Sequence, residues 1–83
     1  MLTLKYFASL REQLDLDEER IDCPTGIGTL AELIAYLSRR GQAWHRLLTT
    51  TPVLAAVNQE ICGLQQTIED GDEIAFFPPV TGG

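Results

Sequence analysis

The sequence predicts an α+β domain, a mixed sheet packed on one main helix, and three observations carry that prediction. Apolar residues alternate with period two near both ends, Leu2, Leu4 and Tyr6 first and Ile74 and Phe76 last, as half-buried strands require. Between them, Leu30, Leu33, Ile34 and Leu37 follow the i, i+3, i+4, i+7 spacing of one helical face. The order strand, helix, strand, helix and then strands places the main helix on one face of a mixed sheet. A length of 83 residues closes one core and no second one, which excludes a two-domain enzyme.

The elements follow in order. The first strand turns Leu2, Leu4 and Tyr6 inward and leaves Phe7 on the outer face with Thr3 and Lys5. Ser9 stands three residues before Glu12, a capping-box spacing, and Leu10 and Leu14 share a helical face, so a short helix is expected over residues 10–14. The acidic stretch 15–19 ends it as a solvated loop. Ile21 and Cys23 predict a short second strand stopped by Pro24. Thr29 and Glu32 repeat the capping-box spacing at the head of the main helix, which runs toward a C′ glycine at Gly41. Arg39 and Arg40 fall in its last turn, where the helix dipole favours cations. Ala43, Trp44, Leu47 and Leu48 predict one further helical turn packed under the domain. Val53, Ala55 and Val57 form a third strand, Asn58 and Gln59 a turn, and residues 61–64 open a fourth strand. Asp70, Gly71 and Asp72 supply turn chemistry before a last strand with Ile74 and Phe76 inward and Phe77 outward, halted by Pro78 and Pro79. The expected organisation is a single domain over residues 1–77 and a flexible tail over 78–83.

Composition narrows the functional classes. Six Lys and Arg against twelve Asp and Glu leave a net charge of −6, which repels phosphate backbones and anionic headgroups, so neither nucleic acid nor membrane is an expected partner. The longest stretch without a polar residue, 74–80, holds two prolines and is far shorter than the roughly 20 residues a span needs. No basic head precedes an apolar run at the amino end, so the expected compartment is the cytoplasm, where Cys23 and Cys62 remain free thiols. With His45 the only histidine, no metal constellation or Ser/His/Asp triad can be assembled, and no metal or bound cofactor is expected. Gly26 and Gly28 precede a helix but lack the third glycine of a dinucleotide fingerprint and read as a loop.

The sharpest feature is the ending Pro78, Pro79, Val80, Thr81, Gly82, Gly83. Two prolines stiffen the exit from the last strand, and two glycines strip the final residues of Cβ atoms, so the terminal carboxylate can enter a channel too narrow for side chains. An ATP-dependent enzyme could convert Gly83 to an acyl adenylate, and a sulfur donor could then make a thiocarboxylate. Parity leaves Phe7 and Phe77 on the outer face, and with Ile61 they read either as a docking surface beside the tail or as a patch that a loop covers. Ordering the tail costs on the order of 1 kcal/mol per residue, so a partner must grip its backbone as well as the aromatics.

Residues 6–12 (YFASLRE), 54–59 (LAAVNQ) and 70–83 (DGDEIAFFPPVTGG) together resemble the small subunit of molybdopterin synthase, the MoaD-type family. The resemblance covers about half the chain, and residues 41–51 match none of its motifs. It implies a ubiquitin-like β-grasp fold and a sulfur carrier within a heterotetrameric synthase. On this resemblance Gly83 is adenylated by an E1-like enzyme using ATP, thiolated by a sulfur donor, and inserted into the large synthase subunit. There its sulfur passes to a cyclic pterin precursor, and two cycles complete the dithiolene of the molybdenum cofactor. The family's hydrophobic contacts map onto Phe7, Ile61 and Phe77. Where the family commonly has glycine after the first helix this chain has Asp15, a residue that tolerates the left-handed region.

Three alternatives share much of this pattern. A protein modifier would use the same adenylation and tail, a thiamine-type carrier would deliver sulfur to a thiazole, and a plain binding module would carry an incidental tail.

Overall fold

The computed structural model describes residues 1–50 and 53–78, and in it the first alternating segment forms β1 (Leu2–Tyr6) with Leu2, Leu4 and Tyr6 buried. α1 (Ala8–Leu14), β2 (Glu18–Ile21), α2 (Leu30–Ser38) and the short α3 (Gln42–His45) follow, α3 continuing into a π-helical turn over Arg46–Thr50. β3 (Leu54–Val57), β4 (Glu60–Cys62) and β5 (Glu73–Phe77) complete a sheet of order β2-β1-β5-β3-β4. β1 and β5 pair in parallel at the centre, and the other pairs are antiparallel. A five-stranded mixed sheet with its main helix across one face is the ubiquitin-like β-grasp that the resemblance implies.

α2 forms where its caps and apolar stripe coincide. Thr29 Oγ1 accepts from the Glu32 N–H at 3.3 Å, and Glu32 Oε1 accepts from the Thr29 and Gly28 N–H groups at 3.1 and 3.0 Å. The Leu30 and Ala31 N–H groups, orphaned at the helix start, donate to the Gln66 and Leu64 carbonyls at 2.9 Å, which docks the loop before β5 onto the helix. Leu30, Leu33, Ile34 and Leu37 then pack on Leu2, Leu4, Tyr6, Val57, Ile74 and Phe76, with Leu47 and Leu48 closing the side. Full burial of each such side chain is worth roughly 1.5–3 kcal/mol.

Several local expectations are corrected. α1 starts at Ala8, with Phe7 rather than Ser9 as N-cap and no side-chain cap bond, because only Phe7 keeps the extended backbone (φ −123°, ψ 156°) that lets its carbonyl receive the first helical N–H groups. The second strand is Glu18–Ile21, so Cys23 lies beyond it and the acidic stretch is partly strand instead of loop. Gly41 is not the C′ residue of α2. Arg39 caps that helix, and Gly41, at φ 155° and ψ 177°, is the N-cap of α3. β4 ends at Cys62, leaving Leu64 exposed in the following turn. Asp15 takes the left-handed region (φ 54°, ψ 44°) at the end of α1, as its residue type allows.

Candidate functional site

The face of the sheet opposite α2 carries the site. Residues paired in register point to the same side, so Leu54 lies beside Phe77, and Ala56 lies between Ala75 and Ile61. Tyr6 pairs with Phe76 in the parallel ladder, which sets Phe7 beside Phe77 one step further along. Phe7, Leu54 and Ile61 are 45%, 36% and 71% exposed, an arrangement of large apolar groups on water that a core would not leave. Ala56 is buried yet outside the core cluster, as expected of a small residue on this outer face with Ile61 opposite it and Leu54 and Phe77 one step along the ladder. The other half of the same face is charged: Lys5 Nζ sits 3.3 Å from Glu73 and 3.9 Å from Glu18. The outer face is therefore divided, apolar toward the end of β5 and ionic away from it.

Phe7 is fixed from both sides. Its N–H donates to the Phe76 carbonyl at 3.1 Å, and its own carbonyl accepts from the Leu10 and Arg11 N–H groups at 3.2 and 3.4 Å. Directly behind it, Tyr6 stacks on Phe76 at 5.7 Å and makes a T-shaped contact with Trp44 at 5.5 Å. The Tyr6 hydroxyl donates to Glu19 Oε2 at 2.9 Å, and Arg40 Nη1 donates to the same oxygen at 2.6 Å while its guanidinium lies 4.7 Å from the Trp44 ring centre. Burial, and then the bond to Glu19, push the Tyr6 phenol far above its usual value, so it stays a donor. The hydrogen bond to Glu19 likewise raises Arg40. The acidic stretch thus supplies a structural acceptor, a role that the solvated-loop expectation missed.

Phe7, Ile61 and Phe77 therefore come together on one face, and half-buried Pro78 follows Phe77 directly. Pro79, Val80, Thr81, Gly82 and Gly83 lie outside the described residues. Leu54 and Ala56 were missed by sequence reasoning, although the parity that turned Ala55 and Val57 inward already placed them outward; Val53, expected in the same strand, lies just before β3 and is half-buried. Among the described residues no group of three or more His, Cys, Asp or Glu could hold a metal ion, and His45 is exposed. The site is an exposed apolar patch beside the point where β5 gives way to Pro78.

A family model described as the ThiS family matches residues 4–83. The molybdopterin synthase sulfur carrier subunit of Haemophilus influenzae is 36% identical over 83 residues, covering 100% of both chains. Its namesake from Escherichia coli is also 36% identical, over 85 residues and 100% of both chains. Among solved structures, SAMP1, the small archaeal modifier protein 1 of Haloferax volcanii, has a TM-score of 0.77 at 27% identity and covers 99% of this chain and 98% of its own. Subunit 1 or 2 of the Helicobacter pylori molybdopterin-converting factor, solved as a complex of the two, shares the fold with a TM-score of 0.66 at 24% identity, covering 99% and 97%.

Proposed function

The chain belongs to the ThiS family, and we propose that within it this protein is the sulfur carrier subunit of molybdopterin synthase. The observation that carries this reading is the end-to-end match with relatives of that description, 36% identical across the whole of each chain. Gly83 is the group that works: an E1-like enzyme adenylates its carboxylate with ATP, and a sulfur donor displaces AMP to leave a thiocarboxylate. The apolar face of Phe7, Leu54, Ile61 and Phe77 docks on the large synthase subunit, and residues 78–83 reach into that subunit's catalytic centre. Sulfur then passes to a cyclic pterin precursor, with the catalytic side chains on the large subunit and no cofactor held by this chain. The cytoplasm is where such a synthase works.

What favours docking over random exposure is placement, because the apolar half of the sheet is the half from which Pro78 leaves. The test is fragment-level mass spectrometry of the carboxyl-terminal peptide after incubation with the activating enzyme, ATP and a sulfur donor. Sulfur localised to Gly83 is the expected result. Unmodified Gly83, with the enzyme active on another carrier, would overturn the reading.

A second reading, protein modification, is favoured by the likeness to SAMP1. It predicts isopeptide bonds between Gly83 and lysines of other proteins in place of a free thiocarboxylate. A thiamine-type carrier, the nearer rival within the family, is separated by its product, a thiazole instead of a dithiolene.

A further inference from the structure

Between the last bond of β1 and the first turn of α1 the chain changes direction within one residue. Phe7 is extended, with φ −123° and ψ 156°, and Ala8, the first residue of α1, takes φ 54°. A positive φ is rare outside glycine, and alanine has no side-chain hydrogen bond with which to offset it. Of the other non-glycine residues at positive φ among the described residues, Asp15 and Asn58 are types that tolerate it, which leaves Ala8 and Gln59 as the two without that excuse. Ala8 is exposed, so its methyl group is not there to fill a core. Its neighbour is the aromatic that stands on the docking face with its backbone bonded on both sides.

We propose that Ala8 is a positioning residue: with the turn held at positive φ by the strand and helix on either side, an L-residue has only one narrow left-handed well there, and this fixes Phe7 on the outer face ready for the partner. This rests on the docking surface assigned under the proposed function. Glycine at this position would relax the strain and yet widen the conformations open to the turn, so stability and affinity should move apart. A D-alanine favours positive φ without widening them. It should relax the strain and keep Phe7 in place.

The experiment uses the full chain, made by synthesis or ligation, as parent, Ala8→Gly, Ala8→D-Ala and Phe7→Ala. Each is measured for melting temperature, for the scalar couplings that report the Phe7 χ1 rotamer, and for affinity toward the large synthase subunit. Ala8→Gly should melt no lower than the parent, average its Phe7 couplings, and bind about 3- to 10-fold more weakly, the scale expected when one side chain must be ordered on binding. Ala8→D-Ala should melt higher with parental couplings and affinity. An Ala8→Gly variant with a single Phe7 rotamer and parental affinity would overturn the proposal, as would averaged couplings in the parent itself. Phe7→Ala separates the two levels. If it binds as the parent does, the docking surface has failed; if it binds weakly while Ala8→Gly binds normally, only the role of Ala8 has failed.

Discussion

Tyr6 and Phe7 are adjacent aromatics with opposite duties. Tyr6 is 1% exposed and closes the core against Phe76 and Trp44, whereas Phe7 stands on the other side of the sheet. Alternation alone separates them, which is why both assignments were legible in the sequence. The Glu19 contact was not legible, because nothing in a run of carboxylates marks the one that will meet a phenol and a guanidinium. Tyr6→Phe removes one donor from Glu19 while Arg40 remains, so unfolding in urea should show a loss of about 0.5–1.5 kcal/mol. Affinity for the large subunit should be unchanged. Ile61→Ser should do the reverse: at an exposed position its stability should stay within about 0.5 kcal/mol of the parent, while a docking role predicts a loss of at least about 1 kcal/mol in partner binding. Equal binding by calorimetry would remove Ile61 from the surface.

Two capping boxes have the same spacing, and one forms. Thr29 sits outside its helix with an extended backbone and its hydroxyl on the Glu32 N–H, whereas Ser9 lies inside α1, where the cap position has already been taken by Phe7. Spacing specifies a cap only when the preceding strand ends in time for it. The second strand was misplaced for a related reason. Edge strands carry charge to deter pairing, so the Glu18–Ile21 edge hid its alternation beneath acidic residues, while Ile21 and Cys23 offered a cleaner but false one.

Thr29→Ala should destabilise the protein by about 1 kcal/mol in chemical denaturation, the usual effect of losing such a cap. Glu32 gives a pH signature. Its carboxyl is held below its usual value, first by the Gly28 N–H and then by Thr29, so it stabilises the fold above the unfolded carboxyl pKa and loses that contribution as pH falls through the folded one. The stability gap between parent and Glu32→Ala should therefore be full at neutral pH and shrink in acid. In the β3–β4 hairpin, Asn58 and Gln59 both have positive φ, at 51° and 73°, as a type I′ turn needs. Asn58 is also bonded to Asp72 and Glu73, but Gln59 suits the geometry poorly, so Gln59→Gly, which relieves a left-handed penalty of roughly 1–2 kcal/mol at a cost of roughly 0.5–1 kcal/mol in chain freedom, should raise stability. A lower melting temperature would contradict that turn.

At the scale of the molecule, the parallel pairing of β1 with β5 explains why the site is split between distant parts of the chain. It brings Phe7 beside Phe77 and, through β3, Leu54 and Ile61 onto the same half of the face. Parity assigned the faces from sequence, but the strand order that joins them depends on long-range pairing that no local pattern encodes. Residues 79–83 can span at most about 18 Å, so on the proposed reading an enzyme using Gly83 holds its reactive centre within that distance of Pro78. The most direct test is a single-turnover reaction of the chain bearing a Gly83 thiocarboxylate with the large synthase subunit and the cyclic pterin precursor. A carrier should form the dithiolene with two thiocarboxylates consumed for each one made, Gly83 returning to a carboxylate. An intact thiocarboxylate and no dithiolene, under conditions where the same large subunit accepts sulfur from another carrier, would contradict the assignment.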